Sequence, residues 1–179
     1  LAYLNERDVV VRQLGERFKA QPGEIVERVS ALQDELKSTS KALQAVQAEL
    51  AVAKSAALAS KAVAVGDFQL LVERLDGVDG SGLQGAAQNL SDQLGEGAAV
   101  VIGGLPDPAD QGKVILVAAF GKAVIANGQQ AGKFIGGIAK RCGGGGGGRP
   151  NLAQAGGRDG AALDGALEAA RQELGDALS

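Results

Sequence analysis

Histidine, methionine and tryptophan are absent from these 179 residues, and there is one cysteine, one tyrosine and 3% aromatic residues overall. The missing histidine excludes the most. It removes Ser-His and Cys-His nucleophile pairs, a histidine general acid, and H-E-x-x-H metal chemistry. A single cysteine, Cys142, permits no intrachain disulfide and, without histidine, no ordinary zinc site. It suits a cytoplasmic protein and reads as a small buried residue. No run of apolar residues approaches membrane-spanning length, so no membrane role is expected. The start at Leu1 and the lack of methionine read as a segment of something longer. With few aromatic rings, stacking of single-stranded bases is poorly provided for. Neither a catalytic residue nor a cofactor is expected within this stretch.

One more absence lies inside the chain. The net charge is −3, yet no Asp or Glu occurs between Gln111 and Arg158. Lys113, Lys122, Lys133, Lys140, Arg141, Arg149 and Arg158 all fall there. A solvated face normally mixes both signs. A one-sign stretch is better explained by a polyanion whose phosphates it meets, and folded RNA read by shape, phosphate and sugar fits the shortage of aromatics.

That stretch contains what is abundant, glycine. Cys142 is followed by six glycines, then Arg149-Pro150-Asn151-Leu152-Ala153-Gln154-Ala155, then Gly156-Gly157-Arg158. A pure glycine run can be a flexible linker. Closure by Arg149-Pro150 and the packed-looking sequence on both sides favour an internal loop, 143–157, whose N–H groups could form a phosphate nest. A Walker A loop is excluded, because Arg149 and Pro150 stand where Lys and Ser/Thr are needed.

Upstream, apolar spacing predicts a helix over 3–19 with Leu4, Val11, Leu14 and Phe18 on one stripe. After Pro22, a long helix carries Ile25, Val29, Leu32, Leu36, Leu43, Val46, Leu50, Ala53 and Ala57 at 4-3-4 spacing, with Thr39 filling the gap. That is a coiled-coil seam on a helix of roughly 55 Å. The two helices are expected to form an antiparallel hairpin that covers the seam to about Leu36 or Leu43. Beyond it the seam serves either as a spacer or in dimerisation. Strands are predicted at 62–65, 68–75, 98–102 and 113–120, and a helix capped by Ser81 that Gly95 ends. Further helices are predicted at 129–141 and from a cap at Asp159 to the end. The expected fold is therefore α/β (α+β): a small mixed sheet covered by helices, residues 62–179, preceded by a helical-hairpin or coiled-coil arm, residues 1–61.

The run G-G-G-G-R-P-N-L-A-Q-A-G-G, Gly145 to Gly157, followed by an Ala-rich helix, resembles the C-terminal end of bacterial alanyl-tRNA synthetases, which belongs to the DHH-associated domain family. The coiled-coil pattern fits as well, so the resemblance covers the whole chain. It implies a non-catalytic module that contacts the outer corner of alanine tRNA and helps coordinate aminoacylation with editing by catalytic and editing domains of the same protein. A homodimer is the alternative role, and DNA is not an expected partner. By the same resemblance Gly145, Gly146, Gly147, Gly148, Gly156 and Gly157 give the RNA close approach. Arg149 and Arg158 meet phosphate, Asn151 and Gln154 lie near sugar or base edges, and Lys122, Lys133, Lys140 and Arg141 widen the basic surface. Related phosphoesterases carry a histidine in this glycine motif. Arg149 stands there instead, so hydrolysis does not carry over.

Overall fold

The structure is a computed structural model that describes residues 2–179, with the side chains of residues 9–47, 49, 50, 53 and 57–179. The chain divides into two compact units, residues 1–45 and 46–179. The cut falls at 45/46 and not at the expected 61/62. The physical reason is Leu58, which is only 9% exposed and packs into the globular core, so the last turns of the long helix belong to that core.

In the first unit, α1 spans Ala2–Phe18 and α2 starts at Ile25, continuing to Ala59. Between them Lys19 adopts φ 50° and the Ala20 N–H donates to the Gly15 carbonyl, which turns the chain. Both helices match expectation, but the packed seam does not. Ile25 is buried and Phe18, Val29 and Leu32 are half-buried, whereas Leu36 is 72% and Leu43 57% exposed. A seam needs an apolar partner along its length, and the 17-residue α1 does not cover it past Leu32. Leu4 of the expected stripe lies outside the described side chains.

The second unit is a six-stranded mixed sheet of order β1-β2-β3-β4-β6-β5. Its strands are β1 (Val63–Val65), β2 (Phe68–Arg74), β3 (Ala98–Gly104), β4 (Val114–Phe120), β5 (Gly145–Gly148) and β6 (Leu152–Gly157). Among the described residues only β2 and β3 pair in parallel. The crossover between them is α3 (Gly80–Leu94), and α4 (Lys122–Ala126), α5 (Ala131–Arg141) and α6 (Leu163–Leu178) follow. Every residue of β3 and β4 is buried, because helices cover both faces. Leu83, Ala86 and Leu90 of α3 meet Val100, Ile102 and Val117 on one face. Ile135 and Ile138 of α5, with Leu167 and Leu174 of α6, meet Val101, Leu116 and Ala118 on the other. Arg74 joins sheet to helix, donating to Asp76 and to Asp164 of α6 at 2.9 Å each. These carboxylates, Asp164 foremost, raise the pKa of its guanidinium.

The expected helices and the first four strands are present, with local corrections. Asp79, not Ser81, caps α3: its carboxylate accepts from the Gly82 N–H at 2.8 Å, and Ser81, already inside the first turn, donates to the same carboxylate. Asp159 closes a turn through the Ala162 N–H, and α6 begins only at Leu163. β3 runs on through Gly103 and Gly104, which pair with Leu116 and Ile115 of β4; a Cβ would lie 2.7 Å from a Leu116 methyl at Gly103 and 2.0 Å from the Leu75 carbonyl oxygen at Gly104. The short helix α4 has no counterpart in the sequence reading. The largest correction concerns 143–157, which forms the β5–β6 hairpin and not a loop.

Candidate nucleic-acid interface

The hairpin places the residues of the glycine motif. β6 pairs with β4, so Ala153 and Ala155 lie buried on the α5 face, while Leu152, Gln154 and Gly156 share the α3 face with Ala119, Val117 and Ile115. β5 pairs only with β6, setting Gly145 beside Gly156 and Gly147 beside Gln154. α3 stops short of β5, and Gly145 to Gly148 and Gly156 are exposed. Arg149 begins the turn, its N–H donating to the Leu152 carbonyl at 3.0 Å. The Pro150 carbonyl accepts from Ala131 and that of Asn151 from Phe120, both at 2.9 Å, so the turn is fixed to α5 and to the end of β4.

A strand is not a nest. Its alternate N–H groups point in opposite directions within the sheet plane, so they do not converge on one phosphate. What the glycines provide is close packing and bare backbone, at different positions. A Cβ on Gly144 would lie 1.8 Å from the Gly156 oxygen, on Gly146 2.4 Å from the Ala155 Cα, and on Gly148 2.8 Å from the Ala153 Cα. From the helix side, a Cβ on Gly132 would lie 2.5 Å from the Gly148 oxygen and on Gly136 2.8 Å from the Gly146 oxygen. These glycines let α5, β5 and β6 approach each other. Gly145 meets nothing within 4 Å, and Gly147 and Gly156 have their nearest neighbours at 3.7 Å, an ordinary contact. The fold asks nothing of these three, which leave uncovered backbone at the surface.

Cations border this bare surface in separate groups. At the turn end stand Arg149 and Asn151, with Asn151 and Lys122 lining a cavity of about 350 Å3. Lys122 approaches Glu96 at 3.6 Å, both side chains being largely exposed. At the other end Lys113 and Arg158 share an open groove of about 640 Å3 with Gly143, Gly144, Gly145 and Gln154. The N–H groups of Arg158 and Asp159 both donate to the Cys142 carbonyl, at 2.8 and 3.1 Å, which fixes this end. β6 lies between Arg149 and Arg158, so their backbones are about 20 Å apart and do not serve one phosphate. Lys133 and Lys140, two turns apart on the exposed stripe of α5, stand about 10 Å from each other. Arg141 differs: its guanidinium is tied to Glu173 of α6 at 2.8 Å.

Among the described residues, Lys113, Lys133, Lys140, Arg149 and Arg158 make no ion pair. Lys113 was not among the expected site residues, although its place in the acid-free stretch was the signal for it. Gln154 packs inward, its amide nitrogen 2.8 Å from where a Cβ of Gly80 would stand. Cys142 is buried, which raises its thiol pKa, with the charge of Asp159 adding to the shift; the neutral thiol is the favoured form. Among the described residues no group of three potential metal ligands forms, and no helix is long and apolar enough to cross a membrane.

Residues 67–176 match the DHHA1 domain family. The chain is 86% identical over 178 residues to an alanine–tRNA ligase of Synechococcus sp. (strain WH7803), and 79% identical to that of Prochlorococcus marinus (strain MIT 9303). Each match covers 99% of this chain and 20% of the relative, so the chain spans about a fifth of the length of these curated proteins. Among solved structures, the C-Ala domain of Aquifex aeolicus alanyl-tRNA synthetase aligns with a TM-score of 0.50 and 28% identity, covering 66% of this chain and 97% of that one. By the family match over most of its globular unit, the chain belongs to the DHHA1 domain family.

Proposed function

We propose that this chain is the non-catalytic tRNA-binding domain of an alanyl-tRNA synthetase, contacting the outer corner of alanine tRNA so that aminoacylation and editing act on the same molecule. The observation that carries the reading is the bare backbone at Gly145, Gly147 and Gly156, bordered by Arg149 at one end and by Lys113 and Arg158 at the other. Uncovered backbone admits a bulky rigid surface, and separated cations reach phosphates on different segments of it. Such an arrangement suits a folded RNA recognised by shape and backbone. The likeness to alanine–tRNA ligases and to the C-Ala domain supports tRNA as that RNA. The catalytic and editing domains of a longer chain, in the cytoplasm, are its partners in this reading. They raise its effective concentration at the tRNA.

The test is a fluorescence-anisotropy titration of labelled alanine tRNA at several salt concentrations. The chain is expected to bind with a steep negative dependence on salt, and the double change Arg149→Ala with Arg158→Ala to weaken binding and flatten that slope by about two counterions. Binding unaltered by the double change would remove the hairpin from the interface. A second reading, a dimerisation module with little RNA affinity, draws on the apolar seam left uncovered on α2 at Leu36, Leu43, Val46 and Leu50. Absence of RNA binding at low salt, with self-association by sedimentation, would favour it.

A further inference from the structure

The cavity of about 350 Å3 at the turn end of the hairpin holds none of the glycines of β5 or β6, and its lining differs in kind from theirs. Three segments converge on it: the last turns of α3, the junction of β4 with α4, and Asn151 between β5 and β6. Backbone hydrogen bonds fix each wall. The Gly95 N–H donates to the Ser91 carbonyl at 3.0 Å, and the Gly121 N–H to that of Ala98 at 2.8 Å. The Ala123 N–H donates to the Glu96 carbonyl at 3.0 Å, and the Phe120 N–H to that of Asn151 at 2.9 Å. The cavity is therefore formed before any ligand arrives, with a volume at the lower end for ligand pockets.

Ser91 marks it as more than a gap. Among the described residues it is the one buried polar residue, 8% exposed, and it lines the cavity. The side-chain hydrogen bonds of these turns join Gln88 to Asp92 and Gln93 to Asn89, and neither takes in the Ser91 hydroxyl. Among the described residues no fully enclosed side-chain nitrogen or oxygen lacks a partner, so this hydroxyl is open to the cavity. A largely buried hydroxyl without a partner calls for a group that satisfies it. Beside it, the Asp92 carboxylate accepts a long bond from Gln88, at 3.4 Å, and pairs with no cation among the described residues. Glu96 differs, being the acid that faces Lys122. Asn151 completes the polar lining, and Phe120 and Ile125 supply the apolar part.

These groups select a ligand class. An unpaired carboxylate repels phosphate, so the cavity itself does not receive an RNA backbone. A hydroxyl and an amide beside a carboxylate offer donors to ring acceptors and an acceptor to an amino group. The edge that answers is an amino group next to an unprotonated ring nitrogen, as in cytosine and adenine. Uracil and guanine present a carbonyl next to a protonated one. Carboxylates read the cytosine amino group in this way. We propose that the cavity is a nucleobase pocket for one unstacked cytosine or adenine. Ser91 and Asn151 meet its ring acceptors, Asp92 its amino group, and the largely exposed Lys122 the attached phosphate. The base is supplied either by the bound tRNA, which rests on the function proposed above, or by a free nucleotide.

An NMR titration of the isotope-labelled whole chain with cytidine monophosphate tests the pocket without tRNA. At millimolar concentration the nucleotide is expected to shift the amide signals of Gly95, Gly121 and Asn151. Uridine monophosphate should bind about tenfold more weakly, because its carbonyl meets the Asp92 carboxylate. Asp92→Asn should bring the two nucleotides within about twofold of each other, since a side-chain amide donates as well as accepts. Ser91→Ala should weaken cytidine monophosphate several-fold without lowering the unfolding temperature, because no hydrogen bond within the protein is lost. Signals that do not move, or equal binding of both nucleotides to the unaltered chain, overturn the proposal and leave salt-dependent tRNA binding standing. Cytidine monophosphate binding without tRNA binding would keep the pocket and remove the tRNA reading. Anisotropy then separates the two sources. Weaker tRNA binding by Asp92→Asn at an unaltered salt slope assigns the pocket to a base of the tRNA, and unaltered tRNA binding assigns it to a free nucleotide.

Discussion

Glycine at a given position can reflect crowding, unusual dihedrals or a need for uncovered backbone, and the hairpin separates these cases residue by residue. Gly144, Gly146 and Gly148 have backbone where a Cβ would go, whereas Gly145 and Gly147 have room for one. Gly145→Ala with Gly147→Ala should thus leave thermal stability within about 0.5 kcal/mol of the parent, the usual range for surface changes. If the bare surface receives tRNA, the same pair should weaken binding several-fold while the salt slope stays as it was, since no cation is lost. Gly148→Ala should behave in the opposite way, costing about 1–3 kcal/mol of stability as an overpacked position. Denaturant titration beside anisotropy reads both quantities. Equal loss of stability from the two sets of changes would show that all these glycines serve packing alone.

At the scale of elements, the sequence and the structure diverge where local chemistry can be satisfied in more than one way. The strands β3 and β4 were legible because runs such as Val114–Phe120 are apolar throughout, as strands buried on both faces must be. The hairpin was not: glycine has no strand propensity, and β5 exists because α5 and β6 leave a slot that only backbone fits. That slot is a tertiary property and leaves no periodic signal. The cap of α3 was misread for a simpler reason. Asp79 and Ser81 are both capping residue types two positions apart, and the carboxylate satisfies the Gly82 N–H while the serine hydroxyl serves the carboxylate. Asp79→Ala should therefore cost about 1 kcal/mol in denaturant unfolding, and Ser81→Ala only a few tenths. The reverse order would return the cap to Ser81. The basic stretch was legible as charge but not as geometry. Its lack of acids was the ground for expecting a phosphate-facing surface, yet only the fold sets Arg149 and Arg158 at opposite ends of β6, ties Arg141 to Glu173 and brings Lys113 into the groove.

At the scale of the whole molecule, what matters is which part carries the stability and which the proposed binding. The globular unit has two apolar clusters, one on each face of its sheet, and α2 enters one of them through Leu58. Among the described side chains before Val46 there is little burial: Val9, Val10, Leu36 and Leu43 are all exposed, and Ile25 is the buried one. Burial of apolar area is the main source of folding free energy, so a chain reduced to residues 46–179 should keep the unfolding temperature of the full chain within a few degrees. A chain reduced to residues 62–179 lacks Leu58 and should lose about 2–4 kcal/mol, the range for emptying a buried leucine site. Since Lys113, Lys133, Lys140, Arg149 and Arg158 all lie in the retained part, the 46–179 chain should also bind tRNA with the salt slope of the full chain. A shallower slope would mean that cations of the helical unit, such as Lys37 or Lys41, also face the RNA. An unaltered slope with weaker binding would instead assign the helical unit an uncharged role, in which the two compact units must be joined for the globular one to meet its tRNA.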